Sequence, residues 1–378
     1  MNPFHFGKEY IPECFIDREK EYAAIHSGIE NGLNLVLIAP RRFGKTWILQ
    51  KFMKESGFPT LYVDLFGVLT PKDFATQMIQ GAYAILKEEN PVAFVSKHLR
   101  KLAHCVSFSL GLKGVSFSLN PATSDQESLA EALHLPQSLA ATLQSRVVVI
   151  LDEFQEYERI LPELPGYIRS VFQKQEGVSY IFSGSRKHML EKLFFHASGP
   201  LYYSAKRIDL GNFLPKEETL LYLEEKFRKS GKPVQTEALE YLYAITRGHP
   251  YYVQFVSYEV WNLASGWITK DTIDTAIDTL LHHESYNYDV LLEALGYKHL
   301  KRVLSLLASK EREIFHPQVL ARWGISSPAL LQKILTKLID YGVVEKLAPG
   351  KYEILDPLFA MYVERRFVYN KERKEAEL

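Results

Sequence analysis

Residues 33–46 read LNLVLIAPRRFGKT, and this stretch decides the fold. The apolar run at 33–39 is typical of a buried strand, and a helical pattern begins at Gly44. Between them, APRRFGKT has the spacing of a phosphate-binding loop, in which a glycine lets backbone amides turn toward an anion at the start of a helix. The sequence therefore predicts a strand, a phosphate-binding loop and a helix in direct succession.

The residue types of this loop predict particular roles. The Lys45 side chain is long enough to reach the β- and γ-phosphate oxygens of ATP, and the Thr46 hydroxyl is a suitable Mg²⁺ ligand. Ala39 stands where the pattern more often has its first glycine. The residues predicted to bind nucleotide in and beside the loop are Pro40, Arg41, Arg42, Phe43, Gly44, Lys45, Thr46 and Trp47.

The first 213 residues alternate between strand and helix patterns. Besides 33–39, strands are predicted at 60–66, 147–152, 178–183 and 206–210, with helices at 44–56 and 71–89. This alternation is typical of an α/β fold, here with a parallel five-stranded sheet. The predicted domain, residues 1–213, is therefore a nucleotide-binding core.

One insertion interrupts this alternation at about 105–120. The pentapeptide VSFSL occurs at 106–110 and again at 115–119, separated by GLKG. Strict alternation around a glycine-bearing turn predicts a β-hairpin. We expect its apolar face to pack on the edge of the sheet; the alternative is an arm that reaches a partner.

The stretch VVVILDEF at 147–154 complements the loop. Several apolar residues carry two acids to the carboxyl-terminal edge of the sheet. Asp152 is predicted to hold Mg²⁺, and Glu153 to act as the general base on the attacking water. Alone, this stretch equally fits a buried strand that ends in surface acids; the phosphate-binding loop favours the catalytic interpretation.

A further strand, within YIFSGSRKHM at 180–189, is expected to lie between the strands of the loop and of Asp152. A γ-phosphate sensor belongs at its end, and Ser183, Ser185 and Arg186 are the alternatives. Arg186 is favoured because a guanidinium can bind the γ-phosphate. The competing interpretation is an exposed arginine at the start of a helix.

The second half of the chain is predicted to be mainly helical. Helical patterns at 215–230, 236–246, 251–265 and 269–284 predict a helical lid domain over 214–290. Helices at 297–309, 317–323 and 327–341, followed by a hairpin, predict a winged-helix domain over 291–370. Residues 371–378 are expected to form a frayed tail.

Taken together, these motifs resemble the archaeal-type ATPase family of the STAND class, a branch of the ASCE and AAA+ P-loop NTPases. FIDREKEY at 15–22, TRGHPYYVQ at 246–254 and YEILDPLFAMYV at 352–363 extend the resemblance to nearly the whole chain. It implies binding of ATP and ADP with Mg²⁺ and slow hydrolysis. It also implies a switch in which nucleotide state sets the positions of the lid and the winged helix.

The resemblance also implies further site residues. Phe15, Arg18 and Glu19 would lie near the adenine and ribose, although an amphipathic first helix explains them equally well. In the lid, His249 would touch a phosphate and Pro250 would pack on the adenine. No spacing marks an arginine finger; the alternatives are Arg41, Arg42, Arg169 and Arg207.

Composition limits the choice of compartment and partner. Formal net charge is zero, only two cysteines occur, and no signal peptide or membrane span is visible, so we expect a cytoplasmic protein with no membrane partner. From Tyr297 onward, 15 Lys and Arg stand against 10 Asp and Glu. A protein partner is the favoured expectation; the alternative is a DNA-binding AAA+ ATPase that resembles origin-binding initiators or transposition regulators.

Overall fold

The computed structural model describes residues 1–7, 9–86, 97–98, 106–111, 114–120, 122–211, 213–296 and 298–368. The chain divides into two compact units. The first, here called the sheet unit, comprises Lys8–Asn212. The second, the helical unit, comprises Met1–Gly7 together with Phe213–Leu378.

The sheet unit is built on five parallel strands in the order β2-β5-β6-β1-β7. The five-stranded parallel sheet predicted from the sequence is thus confirmed. Strand β6 lies between β1 and β5, where the additional strand was expected. The strands are β1 Leu35–Ile38, β2 Thr60–Asp64, β5 Val147–Asp152, β6 Val178–Gly184 and β7 Lys206–Asp209.

Helices cover both faces of this sheet, because alternate strand residues point to opposite sides. Val36 and Ile38 belong to a core shared with α3 and α4. Leu35 points the other way and lies so close to α1 that a Cβ at Gly28 would be 2.8 Å from its Cδ2. The helices are α1 Glu19–Glu30, α2 Lys45–Glu55, α3 Pro71–Leu86, α4 Asp125–Leu143, α5 Tyr157–Ile160, α6 Leu164–Phe172 and α7 Lys187–Phe194.

The predicted hairpin forms, but it does not extend the sheet. Strands β3 (Val106–Gly111) and β4 (Gly114–Leu119) make a separate two-stranded sheet. It packs on α3, where Gln80 donates to the carbonyl of Val115 at 2.6 Å and accepts from the amide of Phe117 at 3.2 Å. The expectation of packing on the sheet edge was wrong, because α3 covers the buried Phe117 ring and also binds the β4 backbone.

The helical unit contains eight α-helices, a π-helical turn at Glu364–Val368 and one hairpin among the residues that are described. Four helices form its first part: α8 Lys216–Lys229, α9 Thr236–Thr246, α10 Pro250–Leu263 and α11 Lys270–Ala294. The later elements lie in the predicted order, with a further helix at the end. They are α12 Lys298–Ala308, α13 Pro317–Arg322, α14 Pro328–Asp340, β8 Val344–Ala348, β9 Lys351–Ile354 and α15 Pro357–Val363.

The two units meet between Asn212 and Phe213, within one residue of the predicted boundary at 213, and no second boundary falls at the predicted position 290. Helix α11 runs without interruption across the expected boundary between residues 290 and 291, because no breaker occurs before Gly296. Lid and hairpin regions therefore belong to one unit. The expected tail, 371–378, lies outside the described residues. Across the described part of the chain, no helix combines the length and apolarity that crossing a membrane requires.

The first seven residues belong to the helical unit rather than to the predicted core. The side chain of Phe4 is buried, with its ring centroid 4.6 Å from that of Phe227 on α8. The Phe6 ring packs 5.0 Å from that of Phe255 on α10. Asn2 donates to the carbonyl of Tyr258 at 2.9 Å. Aromatic burial explains this placement, which the sequence pattern does not reveal.

Candidate functional site

The turn between β1 and α2 has the backbone of an anion-binding loop. Gly44 caps the helix with a φ of 87°, a left-handed conformation that favours glycine. A Cβ at this position would meet no atom within 4 Å, so the loop is open on that side. The helix that follows places its unpaired amides and the positive end of its dipole beside the turn.

Lys45, at the start of α2, is folded back over this loop. Its side chain is buried, and Nζ donates to the carbonyls of Ala39 at 3.1 Å and Pro40 at 3.2 Å. Burial lowers the pKa of Lys45, and the carboxylates of Glu153 and Asp152 oppose that shift. Both acids therefore lie within electrostatic reach of the ammonium group. The loop and the end of β5 form one site.

Asp152 ends β5 in a nearly closed environment, with 3% of its surface exposed. Its Oδ1 accepts from the backbone amide of Glu153 at 2.9 Å. Its Oδ2 accepts from the hydroxyl of Tyr62, on neighbouring β2, also at 2.9 Å. Burial and the nearby Asp152 charge raise the pKa of Tyr62, which keeps this phenol a hydrogen-bond donor. The carboxylate is held in a fixed orientation.

Glu153 follows in a left-handed backbone conformation, with φ 48° and ψ 45°. Such a conformation is uncommon outside glycine and asparagine, and here it turns the chain directly after the strand. The carboxylate Oε2 accepts from Ser185 Oγ at 2.9 Å and from the side-chain amide of Gln155. The predicted general base is thus held by Gln155, which follows β5, and by Ser185, which follows β6.

The three sensor alternatives occupy different positions. Ser183 is fully buried and its Oγ has no hydrogen-bond partner among the described residues, whereas Ser185 contacts Glu153. Arg186 is about half exposed, and its nearest carboxylate is Glu156 at 4.0 Å. The sensor role of Arg186 stays a prediction; of the three alternatives, Ser185 is the one that contacts Glu153, the predicted general base.

The residues predicted near the adenine and ribose begin just before α1, and the predicted loop residues Phe43 and Trp47 lie at the start of α2. Phe43 is buried, and the half-buried Trp47 ring lies 6.2 Å from that of Tyr10. Tyr10 in turn packs edge-on against Phe15 at 5.6 Å. Arg18 is buried, with a φ of 76° and an ion pair from Nη1 to Glu21 at 2.9 Å. The roles of these residues toward nucleotide remain predictions.

Arg207 and Arg169, two of the arginine-finger alternatives, bind neighbouring protein groups. Arg207 binds both oxygens of Asp209, at 2.7 and 2.9 Å, and also Glu191 at 2.7 Å. These hydrogen bonds raise the pKa of Arg207. Arg169 donates to the carbonyl of Pro200 at 2.6 Å. Arg41 and Arg42 are exposed in the loop itself.

His249 and Pro250 lie in the helical unit, at the start of α10. His249 is buried at the N-cap, and Pro250 is the first helical residue, a position that suits proline. Gly248 precedes them with a φ of 69°, and a Cβ there would stand 2.5 Å from the carbonyl oxygen of Leu214. Only glycine fits at this turn.

Comparisons with known proteins agree with this architecture. No family model matches the chain, and no curated protein does. The Walker-type ATPase PABY2304 of Pyrococcus abyssi superposes with a TM-score of 0.69 at 19% identity, over 96% of this chain and 99% of that one. The chain has the P-loop ATPase fold. The ORC2 protein of Aeropyrum pernix, solved as ADPNP–ADP complexes, superposes with a TM-score of 0.55 at 13% identity, covering 96% of this chain and 98% of that one.

Two polar residues of the site were not predicted from the sequence. Tyr62 lies in the alternating strand TLYVDLF, on the side opposite Leu61 and Val63, and this alternation was its only signal. Gln155 lies two residues beyond Glu153 within DEFQE. Neither could be assigned a contact without knowing that β2 and β6 both neighbour β5.

Proposed function

We propose that the chain binds ATP and ADP with Mg²⁺ and hydrolyses ATP slowly, as a molecular switch. One observation carries this proposal: the buried Lys45 ammonium lies within electrostatic reach of both Asp152 and Glu153. A phosphate-binding cation, a metal-binding acid and a general base are thus available at one edge of the sheet. The P-loop ATPase fold supports this assignment.

The residues of the site suit a magnesium nucleotide. Mg²⁺ prefers oxygen ligands, which the Thr46 hydroxyl and the Asp152 carboxylate provide. When bound, the ion neutralises phosphate charge. The Gly44 turn and the amino-terminal end of α2 would cradle the phosphates, and Lys45 would exchange its carbonyl contacts for phosphate oxygens. Glu153 would accept the proton of the attacking water.

Single-turnover phosphate release from ATP tests this function in the full-length protein. We expect Glu153→Gln to retain ATP binding and to lose about 100- to 10,000-fold in rate, the usual contribution of a general base. Lys45→Ala should lose binding itself. Equal, negligible release by wild type and Glu153→Gln would overturn the hydrolytic part of the proposal. ADP retained after purification would support a switch.

The switch part of the proposal rests on the resemblance to archaeal-type STAND ATPases. There, nucleotide state would be transmitted to the helical unit, with His249 and Pro250 as the responding residues and a protein as the partner. Tryptophan fluorescence of the full chain with ADP, ATP and no nucleotide would report such a transition. Identical spectra in all three states would contradict it.

A second candidate function is DNA binding by the helical unit. Lys333 on α14 and Lys346 and Lys351 on the hairpin are exposed, and Gln332 is exposed beside them on α14. Cations on a helix and a neighbouring hairpin are what phosphate contacts require. This surface is the observation that favours the candidate.

The salt dependence of binding to a random duplex tests it. Three phosphate contacts predict a slope of log affinity against log salt of roughly −3, lost when these three lysines become alanine. Binding that is independent of salt, or no binding, would exclude the candidate. The matched control removes three exposed lysines elsewhere in the same unit: Lys216, Lys229 and Lys270.

A further inference from the structure

Gln155 is a buried amide whose side-chain hydrogen bonds, among the described residues, all go to Glu153 and Ser185. It lies in the 3₁₀ turn Phe154–Glu156, directly after β5, and is 3% exposed. Its Nε2 donates to Glu153 Oε2 and, at 3.3 Å, to Ser185 Oγ. Its Oε1 accepts from the backbone amide of Ser185 at 3.3 Å. The amide therefore links Glu153 to the end of β6.

Gly184 makes room for this amide. A Cβ at position 184 would stand 2.2 Å from Gln155 Oε1 and 3.4 Å from its Cδ. Contacts that short do not occur between real atoms, so any side chain here would displace Gln155. The backbone of Gly184 has no left-handed φ, so the requirement is one of space alone. Strand β6 thus ends in glycine, the residue type that leaves space for the Gln155 side chain.

The two donors reach the same oxygen of Glu153. Ser185 Oγ and Gln155 Nε2 both bind Oε2, and within the described residues no donor reaches Oε1. A carboxylate held at one oxygen keeps the other in a fixed direction with its lone pairs available. The Lys45 ammonium interacts electrostatically with the Glu153 carboxylate.

We propose that Gln155 is a positioning residue for hydrolysis, which aims Oε1 of Glu153 at the attacking water. The inference rests on the proposed function, in which Glu153 is the general base. As the water oxygen bonds to the γ-phosphorus and the bond to ADP breaks, the water proton passes to Oε1. ADP leaves with the bonding electron pair. Gln155 exchanges no proton; it sets the geometry from which the transfer occurs.

The kinetic test compares Gln155→Ala with wild type in the full-length protein, by phosphate release at varied ATP concentrations. Loss of one hydrogen bond to a charged group should lower kcat about 10- to 100-fold. Both KM and the Kd for a fluorescent ADP analogue should stay within about twofold, because Gln155 contacts none of the residues predicted to bind nucleotide in and beside the loop. The control Gln173→Ala, an exposed glutamine after α6, should behave as wild type.

A double-mutant cycle separates positioning from general destabilisation. Gly184→Ala should lower kcat as Gln155→Ala does, because it pushes the amide away without removing a donor. In the Gln155→Ala background, the same Gly184 substitution should have little further effect on kcat. Additive losses would indicate independent structural damage and would overturn the inference.

The outcomes for this inference and for the proposed function differ. Release by wild type that is no faster than by Glu153→Gln would overturn the proposed function, and Gln155 positioning with it. A wild-type chain that hydrolyses ATP, with Gln155→Ala at the wild-type kcat, would overturn the positioning role alone. Ser185→Ala, which removes the second donor, is expected to lose a similar factor, and Ser185→Thr to restore it.

Discussion

At the scale of single residues, the site depends on hydrogen bonds that orient charged groups. Tyr62, which is not itself a predicted metal ligand, donates a hydrogen bond to the Asp152 carboxylate from a neighbouring strand. Partners of this kind fix the direction of a ligand's lone pairs, and their removal typically costs 10- to 100-fold in metal affinity.

We therefore expect Tyr62→Phe to require about tenfold more Mg²⁺ for half-maximal phosphate release, with little change in the maximal rate. The ring stays in place, so folding should be preserved. A Mg²⁺ titration at saturating ATP measures the effect. Tyr167→Phe, at an exposed tyrosine of α6, is the control. An unchanged Mg²⁺ requirement would contradict an orienting role for Tyr62.

In the nucleotide-free protein, Lys45 lowers the free energy of unfolding, because burial disfavours its charged form. Lys45→Met should weaken ATP binding about 10- to 100-fold. It should also raise the free energy of unfolding of the empty protein. Burial lowers the pKa in the folded state, so the unfolded chain binds this proton more tightly and rising pH favours the folded wild type.

The stability gained by Lys45→Met should thus be largest near neutral pH and shrink as pH approaches about 10. Urea unfolding without nucleotide, at several pH values, provides the measurement. Lys20→Met, at an exposed lysine of α1, controls for loss of a surface charge. A gain that is constant across this range would show that burial of the charge is not its source.

The sequence predicts the charged residues of the site better than it predicts the residues that orient them by hydrogen bonds. Spacing and position were enough to name Lys45, Asp152 and Glu153 as neighbours. Tyr62 reaches Asp152 from the neighbouring strand β2, and Gln155 reaches Ser185 at the end of the neighbouring strand β6. Such contacts depend on strand order and register, which hydrophobic periodicity does not encode. The same limit left three alternatives for the sensor.

At the scale of secondary-structure elements, capping and breaking residues mark most helix ends well. Helix α9 has the predicted bounds, and α2 and α8 differ from theirs by one residue at each end. Helix α11 runs ten residues beyond the predicted Glu284, because Tyr288 and Leu292 are buried on one face of it and no helix breaker occurs before Gly296. The hairpin β3–β4 was predicted, but its packing on α3 depends on tertiary contacts.

An arginine ties two elements of the helical unit together. Arg247 ends α9 with a φ of 54°, pairs with Glu353 on β9 and donates from Nη2 to the carbonyl of Ile354 at 2.7 Å. Burial lowers the pKa of Arg247, so its charge is stabilised by these partners rather than by water. The turn before Gly248 and His249 is thereby joined to the hairpin β8–β9.

We expect Arg247→Ala to lower the free energy of unfolding of the helical unit by about 2 kcal/mol and to speed amide exchange in β8 and β9. Arg247→Gly relieves the left-handed backbone, so it should cost less than alanine while exposing the same amides. Breaking the exposed Lys216–Glu240 pair by Glu240→Ala should cost under about 0.5 kcal/mol. Equal effects of the two pairs would contradict the anchoring role.

At the scale of the whole molecule, sequence order and spatial grouping differ. The first seven residues belong to the helical unit, whose other residues begin at Phe213. The predicted phosphate-binding loop belongs to the sheet unit. The sequence does not predict this grouping, because a segment as short as MNPFHFG has no hydrophobic periodicity from which its packing partner could be inferred. Its contacts identify it: Phe4 is 2% exposed against Phe227 and Tyr222.

Phe4→Ala should therefore destabilise the helical unit although it changes the opposite end of the sequence. Removing a buried phenylalanine ring costs about 3–5 kcal/mol. Phe74→Ala, in the fully buried core of α3, should instead destabilise the sheet unit by a similar amount. Amide exchange resolved by segment assigns each loss, since a two-unit chain need not unfold in one step. Faster exchange in α8 and α10 is expected for Phe4→Ala, and faster exchange in β2 and β5 for Phe74→Ala. If Phe4→Ala left α8 and α10 as protected as in wild type, the amino-terminal segment would not be part of the helical unit's core.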